Sequence, residues 1–130
     1  FGGMPDYEAS EPRIIEYQGY QFKEFPINPA KILGREIVFS GGGYFRLFPY
    51  SVISHLTKKQ NYTMSYFHPS DFDPDQPDMT HLSYRQRIKN RIGLRGAFKK
   101  YIKYLDEFEF INLATAVEQI DWSSIPVVRL

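Results

Sequence analysis

The segment that most constrains the fold runs from Tyr62 to Pro69 and reads YTMSYFHP. Aromatic and β-branched residues dominate it, and successive side chains would alternate between two faces, as in an extended strand. Pro69 has no backbone N–H, so a sheet ladder should stop just after His68. The sequence therefore predicts a strand with an imidazole at its end. That position suits a catalytic His of an α/β fold, and it also suits a half-buried His that only satisfies a hydrogen bond.

The length and composition are those of one globular domain. The chain has 130 residues, of which 42% are hydrophobic and 17% aromatic, and this is enough for a core. The net charge of +1 gives no overall attraction to nucleic acid or anionic lipid. No cysteine is present, which excludes disulfides, thiolate catalysis and cysteine metal sites. We therefore expect one domain over residues 1–122, followed by a loose tail at residues 123–130.

The sequence contains no segment with the length of a membrane span or the layout of a signal peptide. We therefore expect a cytoplasmic protein without a membrane span. The chain begins at Phe1 inside a stretch rich in Gly and Pro, which is also compatible with a piece excised from a longer protein.

Short strands and helices alternate along the chain. Apolar runs bounded by Gly, Pro or polar residues predict strands, and apolar residues at helical spacing predict helices. Residues 1–12 are expected to lack regular structure. The predicted strands are 14–17, 22–25, 37–39, 62–68 and 108–111, and the predicted helices begin near Pro49, near Arg95 and at Leu113 after an Asn112 cap. This alternation predicts an α/β fold with parallel pairing.

Three consecutive glycines, Gly41, Gly42 and Gly43, precede the sequence YFRLFP. Glycine tolerates positive φ angles and lets backbone amides approach a ligand closely. The P-loop and dinucleotide-binding patterns both fail here, because neither Gly-Lys-Ser/Thr nor a spaced third glycine follows. The run therefore predicts either a turn that faces a ligand or a tight turn before a helix.

An acidic run follows the central segment, with Asp71, Asp73 and Asp75 at alternate positions. A calcium loop of the EF-hand type needs Gly at its sixth position and Glu at its twelfth, which are Gln76 and Leu82 here. The run is therefore either an atypical calcium site or a solvated turn whose Asp side chains accept hydrogen bonds from nearby backbone. The mismatches favour the turn.

Residues 79–105 carry eight cations and no acidic residue. The cations are Arg85, Arg87, Lys89, Arg91, Arg95, Lys99, Lys100 and Lys103. Aromatic residues lie among them, a pattern that predicts binding of nucleic acid or of an anionic glycan. The same pattern is typical of the solvated face of an amphipathic helix whose Lys stems cover apolar surface. Both interpretations stay open, although the low net charge gives no reason to expect nucleic acid as the main partner.

Three motifs together resemble a known family. They are GGGYFRLFPY at residues 41–50, YFHPSDFDPDQP at residues 66–77, and the basic segment RQRIKNRIGLRGAFKKYIKYL. They are similar to the C-terminal region of bacterial NodB-like polysaccharide deacetylases from exopolysaccharide loci, a region described as a domain of unknown function. The resemblance extends over residues 2–115. It implies the C-terminal portion of a distorted (β/α) barrel, in an enzyme that removes acetyl groups from a glycan with a divalent metal, zinc being expected.

The resemblance also implies roles for individual residues. His68 corresponds to the general acid that protonates the leaving amine or alkoxide. The family motif usually reads Y-x-H-P-W-E-x-D-P, and here Ser70 and Asp71 stand in place of Trp and Glu. The substrate-binding residues implied by the resemblance are Gly42, Gly43, Tyr44, Arg46 and Asp71.

The metal-binding motifs of the family are missing from this chain. The opening Asp motif, the His-x-x-x-His pair and the Arg-x-Pro segment are absent, and His55, His68 and His81 are spaced 13 residues apart. The resemblance therefore implies no metal or cofactor held by this chain. Its implied partners are the polysaccharide substrate and the N-terminal catalytic portion of the same enzyme, without which we expect no hydrolysis. The alternative is a non-catalytic domain that binds an anionic glycan or nucleic acid through residues 85–103.

Overall fold

The computed structural model describes residues 10–77 and 83–130, so the predicted irregular stretch at residues 1–9 and His81 lie outside the described residues. In this part the chain forms a mixed α/β fold with two small sheets and no closed barrel. The strands and helices in chain order are β1 (Arg13–Tyr17), β2 (Tyr20–Glu24), β3 (Ala30–Ile32), β4 (Arg35–Ile37), α1 (Gly42–Leu47), α2 (Tyr50–Lys58), α3 (Tyr84–Arg91), α4 (Leu94–Glu107), α5 (Leu113–Gln119) and β5 (Val127–Arg129). Single 3₁₀ turns cover Pro69–Asp71 and Trp122–Ser124.

The first sheet has the strand order β2-β1-β5. Strands β1 and β2 form a tight antiparallel hairpin over Gln18 and Gly19, whose φ angles are 51° and 81°. This confirms the pair of strands predicted near residues 14–17 and 22–25. Strand β5 lies parallel to β1, with Val127 opposite Ile14. The tail that we expected to be loose therefore contributes a strand, because β1 offers it an edge and its valines suit a pleated sheet.

The second sheet is the antiparallel pair β3 and β4. The two strands meet at a turn formed by Leu33 and Gly34, both of which have positive φ angles. The strand predicted at residues 37–39 overlaps this sheet only at Ile37, the last residue of β4. Phe39 is instead fully buried in the core, where its packing against other side chains takes the place of strand pairing.

The segment from Tyr62 to His68, predicted as a strand, is extended but joins neither sheet. Within the described residues its ladder contact is a single parallel bridge between Tyr66 and Gly41. The buried side chains of Asn28 and Ser40 occupy the position that a neighbouring strand would take. The strand prediction was therefore wrong in its pairing, although the extended backbone was predicted correctly.

Asn28 takes the place of a strand neighbour for this segment. Its side-chain Nδ2 donates to the Tyr62 carbonyl, and its Oδ1 accepts from the Met64 N–H at 3.0 Å. The side-chain amide thus forms the two hydrogen bonds that a peptide group of an adjacent parallel strand would form. Ser40 Oγ donates to the Met64 carbonyl at 2.7 Å. Asn28 and Ser40 are both buried, so these hydrogen bonds satisfy polar groups that would otherwise be costly to bury.

The segment predicted as a strand at residues 108–111 also lies outside the sheets. It follows α4 directly, and its described hydrogen bond joins the Phe108 N–H to the Tyr104 carbonyl of that helix. This strand prediction was wrong because the alternating apolar pattern has no partner edge among the described residues.

The core lies between α1, α2 and α4. Phe39, Phe45, Ile53 and Tyr104 are each fully buried. The Phe45 and Tyr104 rings lie 5.4 Å apart, within the range of favourable aromatic pairs. Burying a side chain of this size stabilises the fold by about 1.5–3 kcal/mol.

Three helices follow the sequence predictions. Helix α2 begins directly after Pro49, and α4 begins at Leu94, next to the predicted start. The side chain of Asn112 caps α5 by accepting from the Thr115 N–H at 2.9 Å. Helices α1 and α3 were not predicted. Helix α1 opens with two glycines, which disfavour a helix. Helix α3 buries no residue, so its sequence lacks the apolar stripe by which a helix is predicted.

Helix α1 is fastened at its C-terminal end by Lys100 of α4. The ammonium group donates to the carbonyls of Phe45 and Arg46 at 2.9 Å and of Phe48 at 2.6 Å. Carbonyls at a helix end lack intrahelical partners, and a cation is favourable there. Burial lowers the pKa of Lys100. One of the eight cations of the basic segment is therefore directed into the fold.

Helices α2 and α4 are also joined by Glu107. Its carboxylate accepts from Lys58 and from Ser54, each at 2.6 Å, and from the Tyr50 hydroxyl. Hydrogen bonds from Lys58 first, and then from Ser54 and Tyr50, lower the pKa of Glu107 from 4.5 to about 2. This carboxylate is therefore held as an anion and serves the structure.

None of the described helices can span a membrane. The longest, α4, has 14 residues, fewer than the roughly 20 apolar residues that a span requires. The statement covers residues 10–77 and 83–130.

The Glu107 network predicts acid-sensitive stability. A carboxyl whose folded pKa is below its unfolded pKa stabilises the fold above the unfolded value, and that contribution is lost as pH falls through the folded value. We expect Glu107 to stabilise the protein above pH 4.5 and its contribution to fall progressively toward pH 2. Urea unfolding of Glu107→Gln between pH 2 and 7 should show a smaller dependence of the unfolding free energy on pH. The control is Glu118→Gln, an exposed change on α5 that should keep the wild-type dependence. An unchanged pH dependence in Glu107→Gln would contradict the assigned role.

Candidate functional site

The triglycine run forms the start of α1. A Cβ atom at Gly41 would lie 2.1 Å from the Tyr66 carbonyl oxygen, so only glycine allows this close approach of the two segments. Gly42 has a φ angle of +54°, which also favours glycine. Gly41 is the residue before α1, and Gly42 and Gly43 form its first turn, so the predicted tight turn is replaced by the start of a helix. The role of the Gly42 and Gly43 backbone toward a ligand stays a prediction.

A short 3₁₀ turn follows His68 and fixes its backbone. The His68 N–H donates to Asp71 Oδ2 at 3.0 Å, and the His68 carbonyl accepts from the Asp71 N–H at 2.9 Å. The imidazole itself is exposed, and its ring meets the edge of Tyr66 at a centroid distance of 4.8 Å. Two hydrogen bonds thus hold the main chain of His68, while its ring faces solvent.

A buried ion pair joins this turn to α1. Arg46 Nε lies 3.4 Å from Asp71 Oδ1, and the two side chains are only 9% and 10% exposed. Arg46 also donates from Nη1 to the Asn90 carbonyl at 2.7 Å. Its buried Nε forms no hydrogen bond of good geometry, so the contact with Asp71 is mainly electrostatic. Both groups were predicted to bind substrate, and the structure places them against each other below the surface.

Tyr44 lies on the exposed side of α1. Its ring is 42% exposed and stacks on Phe48 at a centroid distance of 5.8 Å. Tyr66 is 53% exposed, next to the His68 ring. Exposed aromatic faces of this kind can stack on planar or apolar ligand surfaces.

The predicted site residues therefore lie on two adjoining pieces of chain. Gly42, Gly43, Tyr44 and Arg46 belong to α1, and His68 and Asp71 belong to the 3₁₀ turn. The Gly41–Tyr66 bridge and the Arg46–Asp71 pair connect the two pieces. We call this set of residues the His68 site. Its predicted members are brought together, while their roles toward a substrate stay predictions.

Sequence reasoning missed the residues that support the His68 site. Gly93, with a φ angle of +75°, begins α4 against α1, where a Cβ atom would lie 2.5 Å from the Arg46 carbonyl oxygen. The glycine between two helical runs was a usable signal for it. Asn90 contributes only its backbone carbonyl, so its side chain gives no signal. Asn28 donates a hydrogen bond to Tyr62, which lies 34 residues later in the sequence, and local sequence patterns cannot predict such a contact.

The acidic run after His68 is organised as a turn. Asp73 Oδ1 accepts from the Asp75 N–H at 2.9 Å, as in the interpretation of a solvated turn. Asp71 is paired with Arg46. In the described residues no three His, Asp or Glu side chains converge in a way that could hold a metal ion.

The basic segment is divided between structural and exposed cations. Lys100 fastens α1, and Arg91 donates to the Gln76 carbonyl at 3.4 Å. Helix α3 carries four of the cations and buries none of its residues. Its Tyr84 is 75% exposed among them. Exposed cations lie on both helices of the segment, and they are Arg85, Lys89 and Arg91 on α3 and Arg95, Lys99 and Lys103 on α4.

Comparison with known proteins assigns the chain to a family without an assigned role. A family model described as a domain of unknown function, DUF3473, matches residues 1–118. Curated proteins and solved structures give no match. The resemblance to a domain of unknown function is thereby confirmed, and the association with deacetylases is a proposal treated below. The chain belongs to the DUF3473 family.

Proposed function

We propose that this chain is the C-terminal portion of a metal-dependent polysaccharide deacetylase, in which it completes a distorted (β/α) barrel and supplies the proton donor. The exposed position of His68 carries the proposal. Its imidazole faces solvent at the end of an extended segment, beside the triglycine turn, while Asp71 holds its backbone.

The chemistry assigned to His68 is proton transfer to the leaving group. Cleavage of an acetyl group from a sugar releases an amine or an alkoxide, and either one needs a proton. Imidazole is the side chain best suited to give one near neutral pH, and such general acids contribute about 10²–10⁴-fold to a rate. Tyr44 and Tyr66 would stack on the sugar rings beside it.

Arg46 and Asp71 enter the proposal as positioning residues. Their side chains are buried against each other, so neither is directed at a substrate. Asp71 holds the His68 backbone, and Arg46 connects Asp71 to α1. The resemblance implied that Arg46 and Asp71 bind the substrate directly. The proposal instead assigns them the role of supporting His68.

We assign no step on this chain to the divalent metal that the resemblance implies, because residues 10–77 and 83–130 bring no three potential ligands together. Under the proposal the metal ligands belong to the catalytic portion of the enzyme.

The test of the proposal is replacement of His68 in the full-length protein. We expect His68→Ala to lower kcat on an acetylated oligosaccharide about 10²–10⁴-fold with little change in KM, because a proton donor acts mainly in the transition state. The matched control is His55→Ala, an exposed histidine on α2 outside the His68 site, which should retain wild-type turnover. Full turnover by His68→Ala would remove this residue from the mechanism, and no activity on any acetylated glycan would end the deacetylase proposal.

A second candidate function is binding of an anionic glycan through α3. The observation in its favour is that α3 carries four cations, buries no residue and exposes Tyr84. Binding of this kind depends on release of counterions and weakens steeply with salt.

Salt titration separates the two candidates. If α3 binds polyanions, heparin should bind the chain at low salt and lose affinity at least tenfold between 50 and 200 mM salt. Replacing the exposed Arg85 and Lys89 by Gln should reduce the salt slope, whereas the neutral change Ile88→Ala at an exposed position of the same helix should not. Binding of neutral acetylated oligosaccharides alone, with no salt dependence, would contradict the second candidate.

A further inference from the structure

A cleft of about 520 Å³ lies between two extended segments that are not part of either sheet. It is lined by Asn61 to Met64 and by Phe108 to Ile111. Leu113 and Ala116 of helix α5 also line it. The cleft is separate from the His68 site, although one wall belongs to the extended segment that ends at His68.

One wall of the cleft is a strand edge without a partner. Asn28 and Ser40 bind the backbone groups of Tyr62 and Met64 on one side of the extended segment. Because backbone groups alternate along a strand, those of Thr63 and Ser65 point to the opposite side. The hydrogen bonds within residues 10–77 and 83–130 include none to the backbone of Thr63, which lines the cleft. This edge has one satisfied side and one open side.

The segment of residues 109–111, which also lines the cleft, has an unpaired backbone as well among the described residues. Residues 109–111 form no backbone hydrogen bond within the described part of the chain. Phe110 and Ile111 remain 37% and 49% exposed. The sequence of residues 108–111 alternates as in a strand, yet no strand in the described part of the chain pairs with it. Two extended segments with unpaired backbone and exposed apolar side chains thus face one cleft.

We propose that the cleft takes an extended strand of polypeptide, which pairs with the open edge at Thr63 and Ser65. What the two walls leave unsatisfied is backbone N–H and C=O, and another backbone supplies both at the regular spacing of a strand. The wall from Asn61 to Met64 spans about 10 Å at 3.3 Å for each residue, long enough for a strand of three or four residues, and Ser65 continues the same edge just beyond the cleft. Phe110 and Ile111 would contact its alternate side chains.

The source of the strand is the remainder of the full-length protein, and only this part of the inference rests on the proposed function. An unsatisfied edge of this kind is a site of aggregation unless it is covered. A second copy of the chain and a glycan are the other possible occupants, and the experiment below distinguishes them. A glycan is disfavoured, because it offers no regular series of N–H donors and carbonyl acceptors to the unpaired backbone.

Amide hydrogen exchange tests the inference. In the isolated chain at low concentration, the Thr63 and Ser65 amides should exchange much faster than the Met64 amide, which is bonded to Asn28. In the full-length protein, the Thr63 and Ser65 amides should be slowed at least tenfold, and the Met64 amide should change little. Should the isolated chain aggregate, the rates in the full-length protein decide alone.

A pair of variants sharpens the result. Ile111→Arg fills the cleft and should restore fast exchange at Thr63 and Ser65 in the full-length protein. Ile88→Arg on α3 is the matched control, because Ile88 and Ile111 are both 49% exposed and only Ile111 lines the cleft. This control should leave the Thr63 and Ser65 amides protected.

Three outcomes would overturn the inference. They are fast exchange at Thr63 and Ser65 in the full-length protein, protection in the isolated chain that rises with its concentration, and protection that requires a neutral oligosaccharide. The second outcome indicates a second copy, and the third indicates a glycan. Exchange does not report on turnover, so an inactive full-length protein with protected Thr63 and Ser65 would contradict the proposed function and leave this inference standing.

Discussion

The buried ion pair between Arg46 and Asp71 is the interaction on which the candidate site depends. It joins α1 to the turn at His68, two pieces of chain that also meet through the Gly41–Tyr66 bridge and through the Phe45 and Phe67 rings, whose centroids lie 4.8 Å apart. Both side chains are about nine-tenths buried, and a charge left unpaired in such a place costs about 3–5 kcal/mol. Each partner therefore requires the other, and this fixes where the His68 turn sits.

In this arrangement the side chains that support the site are buried, whereas the rings proposed to contact a substrate are exposed. Below the surface, Asp71 holds the His68 backbone and Lys100 fastens the end of α1. At the surface, the His68, Tyr66 and Tyr44 rings stay exposed. The proposed proton donor, His68, thus combines a backbone held by Asp71 with an exposed ring. It also follows that the acidic and basic residues nearest to His68 act on the fold more than on a ligand.

Local sequence patterns predicted much of the fold. Contacts between residues that are distant in the sequence were not predicted. The hairpin at Gln18-Gly19, the Asn112 cap and the starts of α2 and α4 depend on neighbouring residues, and each was predicted. The extended state of Tyr62–His68 was also predictable, but its pairing was not, because Asn28 acts across 34 residues. The site residues were identified from a resemblance to a family. The ion pair that buries Arg46 and Asp71 could not be predicted, because no local sequence pattern links these two residues.

A double-mutant cycle on Arg46→Met and Asp71→Asn tests most directly whether the ion pair holds the site. Asn at position 71 keeps an acceptor for the His68 N–H, so the cycle isolates the charge pair. We predict that each single change destabilises the protein by about 3–5 kcal/mol in urea unfolding, and that the double change costs at least about 1 kcal/mol less than the sum of the two. Additive losses, equal within about 0.5 kcal/mol, would show that the two charges act independently and would contradict the account.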